Sequence, residues 1–112
     1  MKQFMMIFRN DKDAPQPSPE QLQEMLKDWD NWLGGIAAQG RLVSSDALGF
    51  QGKTFDSKGV VSDGPYAEVK EIVGGYTMVK AKDFDEAVTL SKGCPMFDVG
   101  GTVEVRDIMV FE

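Results

Sequence analysis

The sequence predicts an α+β fold: a ferredoxin-like βαββαβ subunit with an inserted β-hairpin, two copies of which close into a dimeric α+β barrel. Three observations predict it. Hydrophobic periodicity gives the order strand, helix, strand, hairpin, strand, helix, strand. The two strand-helix-strand halves, Lys2 to Leu48 and Gly75 to Phe111, then make a split βαβ arrangement. Finally, the first strand, Phe4 to Phe8, is apolar on both faces, although the two helices of such a fold cover only one face of the sheet. The other face calls for a second subunit, so a homodimer is expected, with any pocket between sheet and loops.

Each element has its own signal. Phe4-Met5-Met6-Ile7-Phe8 is an uninterrupted apolar run of strand length ending at Arg9, and Asn10 to Pro17 is a polar loop holding two prolines. Ser18-Pro19-Glu20-Gln21 opens a helix, with Ser18 as N-cap, Pro19 at the first helical position and Gln21 completing a capping box. Leu22, Met25, Leu26, Trp29, Trp32, Leu33, Ile36 and Ala37 form one amphipathic face, running to about Gln39 with Gly40 as C′. Gly34-Gly35 inside that helix suggests a close backbone approach. Arg41 to Leu48 is a second strand, and Lys53 to Phe55 pairs with Val60 to Ser62 around Asp56-Ser57-Lys58-Gly59.

Asp63-Gly64-Pro65 is turn chemistry: Gly tolerates positive φ, Pro fixes its own φ, and Asp bonds to nearby backbone N–H groups. After Gly74-Gly75, Tyr76 to Ala81 is a strand. Asp83 to Glu86 caps a second helix lined by Phe84, Ala87, Val88 and Leu90, which stops at Gly93. Met96 to Gly101 reads as a loop and Thr102 to Phe111 as the last strand. In that strand Val103 and Val105 face one way and Ile108 and Val110 the other, which predicts a bulge near Asp107.

The 112 residues are read as a single domain, 1–112, with the apolar and charged fractions of a globular protein. A net charge of −6 and no Lys/Arg cluster argue against nucleic acid as a partner, and acidic chains are repelled by anionic membranes. The apolar start is too short for a signal peptide and no later run approaches a membrane span, so the expected location is the cytoplasm. Histidine is absent and Cys94 is the only cysteine. Triad chemistry, a cysteine zinc site and the usual haem or iron ligands are therefore not expected. No cofactor and no metal are expected, since neither Gly74-Gly75 nor Gly100-Gly101 opens a helix as a phosphate loop does.

Reactive groups gather around the Asp63 turn. Asp63 and Glu68 are the candidate general bases, given a desolvated carboxylate. Tyr66, Lys70, Tyr76 and, on the last strand, Arg106 are the candidate ligand contacts, as hydrogen-bond donors or as cations for an anionic group. The same residues have a structural reading, which we weigh more heavily: Asp63 ties the turn, and Glu68 to Glu71 is a solvated or interface charge run. Cys94 beside Pro95 reads as a buried residue rather than a nucleophile, and Trp29 and Trp32 as core or interface.

Asp63-Gly64-Pro65-Tyr66-Ala67-Glu68, then Lys70-Glu71, then Gly74-Gly75-Tyr76, resembles the signature of the DGPF-type branch of the YCII-related family. Phe84-Asp85-Glu86-Ala87, Cys94-Pro95 and Val103-Glu104-Val105-Arg106 follow in the order the family shows, so the resemblance spans nearly the whole chain. It implies a bacterial, cytoplasmic protein, a dimeric α+β barrel of ferredoxin-like subunits, with no settled activity. The His-Asp pair suggested as catalytic in some relatives has no histidine here to carry it. Tyr66 stands where the signature has Phe, and Asp107 where relatives often have Pro. Relatives are often encoded beside, or fused to, extracytoplasmic-function sigma factors. The leading expectation is thus a small dimeric binding or accessory module. The competing ones are a cofactor-independent enzyme using Asp63 or Glu68 as base, and a protein-interaction accessory of such a sigma factor.

Overall fold

The structure is a computed structural model that describes residues 1–11, 13–49, 51–63 and 71–111, with the backbone alone for 60–63. The apolar N-terminal run lies at the heart of β1 (Lys2–Asp11), which extends further than the run because both flanks keep pairing. The elements that follow are α1 (Pro19–Ala38), β2 (Leu42–Ala47), β3 (Lys53–Asp56), β4 (Gly59–Asp63), β5 (Glu71–Ala81), α2 (Phe84–Ser91) and β6 (Thr102–Asp107). A short 3-10 turn, Pro95–Val99, occupies what the sequence suggested was an irregular loop.

Four strands form an antiparallel sheet in the order β2-β5-β1-β6, and β3-β4 pair separately as the expected hairpin. The two central strands come from different halves of the chain, as in a ferredoxin-like split βαβ unit. Register follows the alternation. Phe4 faces Val79, Met6 faces Thr77, and Phe8 faces Gly75 across β1 and β5. All six side-chain positions lie on one sheet face, which the helices cover.

That covered face is the core. Phe4, Met6, Phe8, Val79 and Ala81 from the sheet pack with Ile36, Ala87, Cys94 and Met96. Phe8, Trp29 and Trp32 meet edge to face, with ring centroids 5.1, 6.0 and 5.4 Å apart. The Trp32 indole N–H donates to the Leu90 carbonyl at 3.1 Å, which joins α1 to the α2 layer. Thr77 is fully buried, and its hydroxyl is satisfied by Ser45 Oγ at 2.8 Å.

The caps match their sequence signals. Ser18 Oγ accepts from the Gln21 N–H and Gln21 Oε1 from the Ser18 N–H, a complete capping box. Gly40 follows the helix at φ 71°, the left-handed conformation of a C′ residue. The Asp83 side chain accepts from the Glu86 N–H. Arg41 and Glu86 form an ion pair that ties the start of β2 to α2.

Four expectations change. Leu22 and Leu26 are about half exposed, because α1 docks through Trp29, Trp32 and Ile36 and its first turns reach past the described core. A Cβ on Gly34 or Gly35 would meet nothing within 4 Å among the described residues, so these make no close approach there. β5 begins at Glu71, before the glycine pair, and includes it. There is no bulge near Asp107: the pairing of β6 with β1 keeps an even register, and the strand ends there.

Candidate functional site

Among the described residues no helix lies over the other face of the sheet. Met5 and Ile7 on β1, Tyr76 and Met78 on β5, and Glu104 and Arg106 on β6 alternate with the buried core positions and so point to this open side. The four apolar and aromatic side chains among them are half-buried by their strand neighbours alone. Asp46 pairs with Tyr76 and Ser44 with Met78 in register on β2, which adds polar groups along one edge. Along the other edge Arg9 bonds Glu104 at 2.5 Å, and Arg106 lies 3.8 Å from the same carboxylate. The result is an apolar strip bordered by hydrogen-bonding and charged groups.

Tyr76 is the best-defined polar group of this face. Its hydroxyl donates to Asp46 Oδ2 at 2.6 Å across the β2-β5 pair. The hydrogen bond to the carboxylate, and then that carboxylate's negative charge, push the tyrosine pKa above its usual 10.0. Near neutral pH Tyr76 is therefore a fixed donor, not a base. Gly75, its neighbour, is required by the strand pairing, since a Cβ there would stand 2.8 Å from the Asp46 carbonyl oxygen. The glycine of the motif thus lets β2 approach closely enough for Asp46 to reach Tyr76.

Of the candidates read from the sequence, Tyr76 and Arg106 share the open face but are not adjacent. β1 runs between their strands, leaving about 10 Å of sheet between them. Arg106 keeps 70% of its side chain exposed, with Glu104 as its nearby carboxylate. Asp63 ends β4 opposite Lys53, and its side chain lies outside the described residues, as do Tyr66, Glu68 and Lys70 entirely. Sequence reading missed Asp46. Its signal was the polar alternation of Ser44 and Asp46 within the second strand, meaningful only once β5 is the neighbour.

Two other places bear on the site. Asn10 Oδ1, near the end of β1, is buried and has no hydrogen-bond partner among the described residues, and it would stand 3.3 Å from a Cβ on Gly74. On the helix side, Asp28, Asn31, Trp32, Gly93, Pro95 and Asp98 line an open depression of about 420 Å³. It contains none of the expected residues, and the Trp32 N–H is already bonded to Leu90. Cys94 is buried, and desolvation first, opposed by the Met96 N–H, raises its thiol to about 11, far from a nucleophile's range. Among the described residues no three His, Cys, Asp or Glu side chains gather as metal ligands.

Comparison with known proteins gives the chain its context. The family model described as the YCII-related domain matches residues 3–112. No curated protein matches significantly. Among solved structures, the chain is similar to 5-chloro-2-hydroxyhydroquinone dehydrochlorinase (TftG) from Burkholderia phenoliruptrix AC1100 in complex with 2,5-dihydroxybenzoquinone. The two are 17% identical over 92% of this chain and 90% of that one, with a TM-score of 0.48, a likeness too distant to transfer chemistry.

Proposed function

Because this chain belongs to the YCII-related family, we propose that it works as a small dimeric binding module whose ligand lies over the open sheet face, beside the Asp63 to Lys70 segment. One observation carries this reading: an apolar strip of Met5, Ile7 and Met78 remains half-buried in one copy, bordered by the Tyr76-Asp46 pair and by Arg106. A second copy stacked on that face would turn the strip into a cleft with an apolar floor and a few fixed polar groups, the usual composition of a small-molecule site. Tyr76, its one proton given to Asp46, presents an acceptor oxygen beside a carboxylate, and Arg106 presents a cation, so a ligand with a hydrogen-bond-donating end and an anionic end fits. Among the described residues the two groups with displaced titration, Tyr76 and Cys94, both move away from neutrality, so neither serves as an acid–base group near pH 7. No helix among the described residues is long and apolar enough to cross a membrane.

The test is an amide and methyl chemical-shift titration with a library of small carboxylates and phenols, run on the wild type and on Asp63→Asn. Ligand-dependent shifts should centre on Met5, Ile7, Tyr76 and Met78. The Asn variant keeps local turn bonding, so it should melt with the wild type while binding more weakly if Asp63 contacts the ligand. Shifts clustered at Asp28 and Asp98 instead, or no binder at all, would remove the open face as the site.

A further inference from the structure

β6 stops at Asp107, yet its apolar sequence does not. Ile108, Met109, Val110 and Phe111 are 37, 72, 79 and 85% exposed, so exposure climbs along four consecutive large apolar residues. A run of this kind is rare on a free surface and marks an interaction segment. The Ile108 N–H still donates to the Gln3 carbonyl at 3.1 Å, in the same register that pairs Phe4 with Asp107. That register puts Ile108 on the open face, whereas Val103 and Val105 face the helices. The apolar pattern changes sides without a bulge, toward the side the chain itself leaves uncovered.

We propose that Ile108 to Phe111 is an exchanged arm: it continues β6 into a second copy of this chain and fills part of the space over that copy's open face. This rests on the dimeric reading above and specifies how the dimer closes. Two features select a second copy. The arm holds no Gly, Pro or Asn that would turn it back over its own sheet. Its side chains are apolar at alternate positions on both sides, so it needs cover from two directions, which the space between two stacked sheets provides.

Sedimentation equilibrium of the wild type and of the double variant Val110→Asp/Phe111→Asp decides the matter. A symmetric pair holds two arms and so carries each substitution twice, and the variant's dimer dissociation constant should rise roughly 100-fold or more. Circular dichroism should show the fold retained. A variant that dimerises as tightly as the wild type overturns the arm while leaving the face-to-face dimer standing. A wild type that stays monomeric overturns the dimer and the arm together. Should the variant not fold, isotope-filtered NOE spectra of mixed labelled and unlabelled wild type give the same decision. Cross-peaks from the Phe111 ring to methyl groups of Met5, Ile7 or Met78 in the other copy are expected, and their absence in a confirmed dimer removes the proposal.

Discussion

The two faces of the four-stranded sheet are built from the same strands by the same alternation, and they differ in what lies opposite. On the helix side Phe4, Met6, Phe8, Thr77 and Val79 are at most 4% exposed, and even the Thr77 hydroxyl has its partner. On the other side Met5, Ile7, Tyr76 and Met78 stop at half-burial, the shelter that neighbouring strands give. The residues of β1 are apolar on both faces, so the sequence of that strand encodes two covers while the described residues supply one.

The comparison breaks most readily through paired truncations. Phe4→Ala should lower the unfolding free energy by about 3–5 kcal/mol at any protein concentration, since it empties a site closed by Val79 and Phe84. Ile7→Ala should lower it by about 1 kcal/mol or less in dilute solution, with a larger loss at high concentration where the open face is covered. Urea denaturation at two protein concentrations measures both. If the two variants lose equally when dilute, the open face is already covered within one chain.

A smaller effect sharpens the comparison inside the glycine pair. Gly75→Ala should destabilise by about 1–3 kcal/mol, because the new methyl meets the Asp46 backbone and β2 must move. Gly74→Ala meets only the Asn10 side chain at 3.3 Å and should be milder. Thermal melts of the two variants give the order, and a harsher Gly74 variant would mean the strand contact is not what fixes the glycine.

The smallest effect belongs to the open face. In a Tyr66→Phe background Tyr76 is the only tyrosine, and its ultraviolet titration should fall above 10. The folded-state pKa exceeds the unfolded one, so the stabilisation from this bond is complete below pH 10 and disappears as pH rises through the folded value. Asp46→Asn should bring the titration back toward 10.0 and leave the melting temperature almost unchanged. An unchanged titration would show that the carboxylate does not control the hydroxyl.

Most of the elements were legible because their signals are local. The capping box at Ser18, the cap at Asp83, Gly40 beyond α1 and the hairpin around Asp56 each depend on residues within a turn of one another. What sequence could not show depends on pairing at a distance. The Tyr76-Asp46 bond spans thirty positions and exists only because β2 lies beside β5. Tyr76 and Arg106 looked like neighbours until β1 was found between them. The run Glu68 to Glu71 read as a solvated or interface charge run with the strand opening only after the glycine pair, yet Glu71 already pairs with Asp11, because the ladder of a long strand carries a polar end with it. Amphipathic spacing likewise put Leu22 and Leu26 in the core, though periodicity gives a helix's apolar side and not how far along it the partner extends.

The cluster of Phe8, Trp29 and Trp32 puts both indoles of the protein behind the sheet, with one of them hydrogen-bonded to α2. Intrinsic emission is thereby a one-sided probe. Unfolding exposes both rings to water and reddens the spectrum, whereas a small molecule or a second copy arriving at the front of the sheet leaves their surroundings intact. Fluorescence is well placed to follow denaturation and blind to occupancy, so a titration that leaves the emission unchanged is compatible with a fully occupied front face.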